Sequence, residues 1–263
     1  MIMVLPEPLL KIPFAHRGYH DVDRGYPENS LSAVQAAIDA GYGIEIDVQL
    51  SSDGEAVVFH DEGLSRLTRM HGFVRERSAS TLRRIPLLGG NGEGVPLVTE
   101  VLDRVNGRVP LLIELKSIDD ESYSSVGRLE TAIAHTLKSY VGPVGIMSFS
   151  RKSIAAMGAA FASVGFDWPL GLTTSASYFD RWLSEDADLN LAAHMRVFMD
   201  LGVSFLGHES SDLGRSVIQL LRAKRMPVLA WTVTSYQDEH AIWPLCDNII
   251  FEGFDAQQRL NGE

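Results

Sequence analysis

The sequence predicts a closed (β/α)8 barrel, a TIM barrel. Eight apolar runs begin at residues 12, 43, 109, 144, 169, 203, 227 and 248. Most are followed by a stretch with apolar residues at helical spacing. The 263 residues match the ~250 that such a barrel occupies. Apart from charged residues in the second and third, the runs are continuously apolar, as in parallel strands covered by helices. A doubly wound open sheet would call for a G-x-G-x-x-G loop after the first strand, and none is there. The chain reads as one domain, 1–263, with residues 62–96 as a loop or lid inserted after the second strand.

The elements follow in order. Ile12 to His16 is a short apolar strand running into His16-Arg17-Gly18. After a turn-rich loop, Leu31, Val34, Ala37 and Ile38 mark a helix capped by Asn29 or Ser30 and ended by Gly41. Gly43 to Leu50 is the second strand, and Asp53-Gly54 signals a hairpin that returns through Glu55–Phe59 to His60-Asp61. Residues 62–96 show few apolar anchors. Strand and helix then alternate: helix 98–106, strand 109–116, helix 123–140, strand 144–149, helix 152–162 and strand 169–173. Helical material runs on to Leu201, where Glu185, Asp186 and Asp188 form a solvated face. Strand 203–207, helix 214–224, strand 227–233, a weak helix 237–244 and strand 248–251 complete the chain.

Composition narrows the function. Twenty-three basic against 34 acidic residues give a net charge of -11, which argues against nucleic-acid or anionic-membrane partners that need a basic surface. An anionic small molecule would have to be held by local cations. The single cysteine, Cys246, excludes an intrachain disulfide framework and reads as a small buried residue. No apolar run approaches the roughly 18 residues of a membrane span. The N-terminus lacks the pattern of a secretory signal, so a cytoplasmic protein without stable membrane insertion is expected. Nothing in the sequence fixes an oligomeric state.

The chemistry gathers at the strand ends, where barrel enzymes carry their sites. Glu45 and Asp47 are two residues apart on a strand, so both carboxylates share a face. Glu114 and Lys116 repeat that spacing. Glu45, Asp47 and Glu114 form an oxygen-rich set suited to a hard divalent cation, Mg²⁺ or Ca²⁺ with Mn²⁺ as a further candidate. The competing explanation is simple pairing with Arg17 and Lys116. Beside a cation, Arg17 and Lys116 would bind phosphate, one as a planar fork and one as a point charge. His16 and His60 titrate near neutrality and could supply one acid and one base to a phosphodiester. Trp231 is either a wall for a glycerol-like group or core, and His208 follows the sixth strand.

These residues occur in motifs that run in order through nearly the whole chain: His16-Arg17-Gly18, Pro27-Glu28-Asn29-Ser30, Glu45-Ile46-Asp47-Val48, Ser52-Asp53-Gly54, His60-Asp61 with Leu64, Arg66 and Thr68 behind it, Glu114-Leu115-Lys116, Ser148-Phe149 and Trp231-Thr232-Val233. The ordered set resembles the glycerophosphodiester phosphodiesterase family. The resemblance implies a barrel enzyme that hydrolyses glycerophosphodiesters to glycerol 3-phosphate and an alcohol such as choline, ethanolamine or glycerol. It implies one divalent cation on Glu45, Asp47 and Glu114, His16 and His60 as the acid/base pair, and Arg17 and Lys116 on the phosphate.

Two positions depart from the family pattern. Thr234 stands where an Asn usually follows the Trp-Thr-Val strand, and Phe251-Glu252-Gly253-Phe254 replaces a Thr-Asp-x-Pro-like turn. Both bear on the alcohol end of the substrate. The short segment 62–96 points to a small bacterial-type member. Two other readings are a lysophospholipase D- or sphingomyelinase D-like enzyme on long-chain lipids and a non-catalytic glycerophosphodiester-binding barrel. The lone cysteine weighs against the first, and retention of His16 and His60 against the second.

Overall fold

The computed structural model describes residues 5–119, 123–177 and 191–257. In chain order its strands are β1 (Phe14–Ala15), β2 (Gly43–Leu50), β3 (Ala56–Val58), β4 (Leu111–Leu115), β5 (Val144–Ser148), β6 (Leu170–Thr174), β7 (Phe205–Glu209), β8 (Val228–Val233) and β9 (Asn248–Phe251). Its helices are α1 (Glu7–Lys11), α2 (Leu31–Ala40), α3 (Ala79–Leu82), α4 (Val98–Val105), α5 (Arg128–Leu137), α6 (Arg151–Val164), α7 (Leu191–Asp200), α8 (Ser216–Ala223) and α9 (Tyr236–Ile242). All strands but β3 are parallel, and β1 bonds to both β2 and β9, which closes the ring. The predicted eight-stranded TIM barrel is the fold found.

Side-chain alternation divides the apolar residues into two layers. Phe14, Leu112, Met147, Phe205, Leu229 and Ile250 fill the barrel interior. Their neighbours Ile44, Ile113, Ile146, Leu172 and Leu206 pack outward against the helices. Each such fully buried side chain contributes about 1.5–3 kcal/mol of transfer free energy.

Helix α1 was not expected, because the N-terminus gave no long apolar period. Pro8 is tolerated in its first turn, where backbone N–H groups have no helical acceptor. Leu5 and Leu9 plug the base of the barrel. Asn248 donates from Nδ2 to the carbonyls of Leu9 (3.0 Å) and Ile12 (2.8 Å), tying this plug to the last strand.

Three further expectations are corrected. The helix foreseen over 123–140 is confined to α5, because Gly127 sits at φ 88° and interrupts it. Segment 62–96 does not lack apolar anchors. Leu64, Val74, Ala79, Leu82, Ile85, Leu87 and Val95 bury against Val57 and Phe59 as a small core of their own. They are scattered singly among polar residues and gathered by short bridges such as Val74 N–H to the Glu62 carbonyl (2.9 Å), so no periodicity announced them. The first strand pairs only over Phe14–Ala15. Residues 178–190, with the acidic face read at Glu185, Asp186 and Asp188, lie outside the described residues. Among the described residues, no helix is long and apolar enough to cross a membrane.

Candidate active site

Three carboxylates meet at the C-terminal mouth of the barrel. The spacing of Glu45 and Asp47 on β2 turns both inward, and the β2–β4 register sets Asp47 beside Glu114. The three residues are 1%, 1% and 7% exposed. One ligand oxygen from each lies within 4.8 Å of the others.

The cations balance this set unequally. Lys116 Nζ contacts Glu114 and lies 3.1 Å from Asp47 Oδ1. Arg17 Nη1 donates to Glu28 Oε1 at 2.8 Å, and its Nε is 3.3 Å from Asp47 Oδ2. Among the described residues, Glu45 receives only the Arg17 backbone N–H, on Oε2 at 2.9 Å, and its Oε1 is buried without a hydrogen-bond partner. Pairing with Arg17 and Lys116 therefore accounts for Asp47 and Glu114 but leaves Glu45 over. A buried carboxylate oxygen without a partner is costly, and an all-oxygen cluster fits a hard divalent cation.

The titration behaviour follows from these contacts. Burial, reinforced by Asp47 and Glu114, pushes the Glu45 carboxyl well above its ordinary value. Burial would also raise Asp47, but Lys116, His60 and Arg17 outweigh it and hold that carboxyl below the ordinary value. Burial raises Glu114 in spite of Lys116. Burial opposes the charge on Lys116, yet Glu114 and Asp47 raise its pKa and keep it protonated.

The loop after β1 adopts unusual backbone to make these contacts. Arg17 (φ 56°) and Asn29 (φ 57°) both occupy the left-handed region. Such strain concentrates at functional sites. A Cβ on Gly18 would stand 2.9 Å from the Ala33 Cβ, so the loop can press onto α2 only with glycine there. Asn29 does not cap α2. It donates from Nδ2 to Asp47 Oδ2 at 2.9 Å, and Ser30 caps the helix by accepting from the Ala33 N–H. Glu28 is shared between Arg17 and Arg66, the latter donating from Nη1 to its Oε2 at 2.7 Å.

Each histidine is held by a carboxylate. His60 returns beside Asp47 because the β2–β3 hairpin folds back: Phe59 N–H donates to the Asp47 carbonyl at 2.9 Å. Gln49 Nε2 donates to the carbonyls of Phe59 (2.8 Å) and Asp61 (2.6 Å), fixing the residues on either side. His60 Nδ1 is 2.7 Å from Asp61 Oδ1. Hydrogen bonds from Arg66 and His60 draw the Asp61 carboxyl down to about 2. An ionised carboxylate only accepts, so Nδ1–H is the donor and the neutral ring carries its lone pair at Nε2. Burial lowers the His60 imidazole below its ordinary value despite Asp47. His16 repeats the arrangement: Nδ1 lies 2.7 Å from Glu252 Oε2, and this contact, with the His20 ring 3.6 Å away, holds Glu252 far below the usual carboxylate range.

Trp231 points inward from β8 and meets Phe149 edge-on, ring centroids 5.4 Å apart. Phe149 in turn lies 5.9 Å from Lys116 Nζ. His208 is turned away from the mouth. Phe205 faces the barrel interior, so alternation sends His208 outward, where it is fully buried against Thr174 Oγ1 at 2.8 Å.

The structure thus brings Glu45, Asp47, Glu114, Arg17, Lys116 and His60 into one network of contacts, with His16 next to Arg17 in the chain and paired with Glu252, and Trp231 packed on Phe149. Sequence reasoning passed over Glu252, Asp61 and Arg66 as partners and Gln49 as a brace. Asp61 and Arg66 stood in the motifs, whereas Glu252 stood only as a departure from them.

A family model described as the glycerophosphoryl diester phosphodiesterase family matches residues 16–251, from the first site histidine to the end of β9. The chain belongs to that family. A glycerophosphodiester phosphodiesterase of Bacillus altitudinis is 38% identical over 109 residues, 39% of this chain and 43% of that protein. That match spans less than half the length of the relative. Glycerophosphodiester phosphodiesterase 1 of Bos taurus is 24% identical over 247 residues, 86% of this chain and 72% of that protein. The fold is shared with a phosphodiesterase of Oleispira antarctica solved with the product sn-glycerol-3-phosphate (TM-score 0.75, 24% identity, 91% of this chain and 93% of that one). It is shared also with a glycerophosphodiester phosphodiesterase of Thermotoga maritima (TM-score 0.69, 22% identity, 92% and 94%).

Proposed function

We propose that the protein is a metal-dependent phosphodiesterase of the cytoplasm, folded as one domain, that hydrolyses glycerophosphodiesters to glycerol 3-phosphate and an alcohol. The observation that carries this reading is the unequal balance at the mouth. Three buried carboxylates stand against two cations, with Glu45 Oε1 left unpartnered, directly beside two carboxylate-held imidazoles.

Glu45, Asp47 and Glu114 would hold one divalent cation, Mg²⁺ or Ca²⁺, with Mn²⁺ as a substitute. When bound, it supplies positive charge to the non-bridging phosphate oxygens. Arg17 and Lys116 add to that charge and orient the phosphate. One imidazole takes at Nε2 the proton of the attacking oxygen, from water or from a neighbouring hydroxyl of the substrate. The other, protonated, gives its proton to the alcohol oxygen as the P–O bond breaks. Asp61 and Glu252 fix the tautomers that make this exchange available. Trp231 and Phe149 wall the glycerol side and exclude water.

The test is release of glycerol 3-phosphate from deacylated phospholipids, with and without each cation. The reading expects release that a chelator abolishes and Mg²⁺ or Ca²⁺ restores. Full release from metal-stripped protein removes the cation from the mechanism, and no release from any glycerophosphodiester overturns the function.

A further inference from the structure

A cavity of about 810 Å³ opens beside the site, between the loop after β1, the segment 62–96 and the loop after β9. Two of its lining residues touch the site itself. Glu28 holds Arg17, and His20 Nε2 lies 3.6 Å from the Glu252 oxygen that also meets His16. The cavity therefore adjoins residues that hold Arg17 and His16, and its size is that of a small-molecule pocket.

Its lining has a definite chemistry. Three aromatic rings face it: Tyr19, Tyr236 and Phe254. Tyr236 meets Phe254 edge-on with centroids 4.9 Å apart, and is 52% exposed, an aromatic surface left open. The Tyr19 hydroxyl donates to Asp255. Asp21 and Asp255 add two carboxylates against one guanidinium, that of Arg24, which lies 5.3 Å over the Tyr26 ring. Glu28 is already neutralised by Arg17 and Arg66. Ring faces and surplus carboxylates attract a cation and repel a second anion; the ring quadrupole alone favours a desolvated alkylammonium.

We propose that this cavity receives the alcohol half of the substrate and selects alcohols that carry an ammonium group, a quaternary one of the choline kind above all. The proposal rests on the phosphodiesterase reading and gives its alcohol end a chemistry. The ammonium lies among Tyr19, Tyr236, Phe254 and Asp255, and the departing oxygen lies on the His16–Glu252 side.

The experiment compares kcat/KM for glycerophosphocholine and glycerophosphoglycerol in the full chain and in Tyr236→Leu, Tyr236→Phe and Asp255→Asn. Choline alone is titrated into each by calorimetry. The choline-to-glycerol ratio falls about tenfold in Tyr236→Leu and Asp255→Asn, and Tyr236→Phe keeps the ratio. Saturable choline binding by the native chain weakens in the same two variants. An unchanged ratio without saturable choline binding overturns the proposal. So does a preference for lysophosphatidylcholine that Val22→Ser and Leu88→Ser abolish, since these exposed rim residues would then be seating an acyl chain. Choline bound through Tyr236, with no glycerophosphodiester hydrolysed, supports the cavity and overturns the phosphodiesterase reading alone.

Discussion

His16 and Glu252 stand 236 residues apart in the chain and 2.7 Å apart in the fold, imidazole Nδ1 to carboxylate Oε2. The contact fixes which ring nitrogen faces the mouth. Glu252→Gln loses that control, because an amide can pair with either tautomer. It should lower kcat on the order of 10- to 100-fold, with KM little changed. His16→Ala should cost more, roughly 10²- to 10⁴-fold. Steady-state kinetics, with circular dichroism to verify the fold, checks both.

The acidic triad predicts a stabilising response to metal. Glu45 stands with two other buried carboxylates, and its Oε1 has no hydrogen-bond partner among the described residues. A cation that binds only the folded state at 100 times its Kd adds about 2.7 kcal/mol. Thermal unfolding should shift upward on adding Mg²⁺ or Ca²⁺. Glu45→Gln should unfold higher than the native chain without metal and lose most of the metal-induced shift. A native chain indifferent to both ions would refute the site.

Asp61 supplies a pH dependence with a definite sign. Hydrogen bonds from Arg66 and His60 bring its carboxyl to about 2 in the folded protein, against roughly 3.9 when unfolded. Between those values the unfolded chain binds more protons. The stability that Asp61 contributes is therefore complete above about pH 4 and is lost as pH falls toward 2. Urea unfolding of the native chain should show a steeper loss across that window than Asp61→Asn, and the two slopes should coincide near neutrality.

The plug at the barrel base separates stability from activity. Leu9 is fully buried in the interior cluster with Phe14 and Phe205. Leu9→Ala should cost about 2–5 kcal/mol and leave turnover per folded molecule unaltered, because α1 lies at the far end from the carboxylates. Denaturant unfolding and an active-site-normalised rate measure the two effects.

The barrel was legible because its strands are mostly apolar runs alternating with helical periods, and the triad because period two on β2 and the β2–β4 register bring Glu45, Asp47 and Glu114 to one face. What stayed hidden had no local signal. Glu252 became a partner of His16 only through ring closure. The core of segment 62–96 is built from isolated residues such as Leu64, Val74 and Val95, whose convergence no spacing rule describes. His208 was ambiguous because its face depends on register, which Phe205 sets. Asn29 suits an N-cap by residue type, but the Asp47 carboxylate draws its side chain to the mouth.

The pairing of β1 with β9 has a consequence for synthesis. On the ribosome the first strand emerges long before its second neighbour exists, so the ring stays open until the ninth strand is released. Glu252 follows that strand directly. The nascent protein therefore gains the brace on His16 in the same event that seals its architecture.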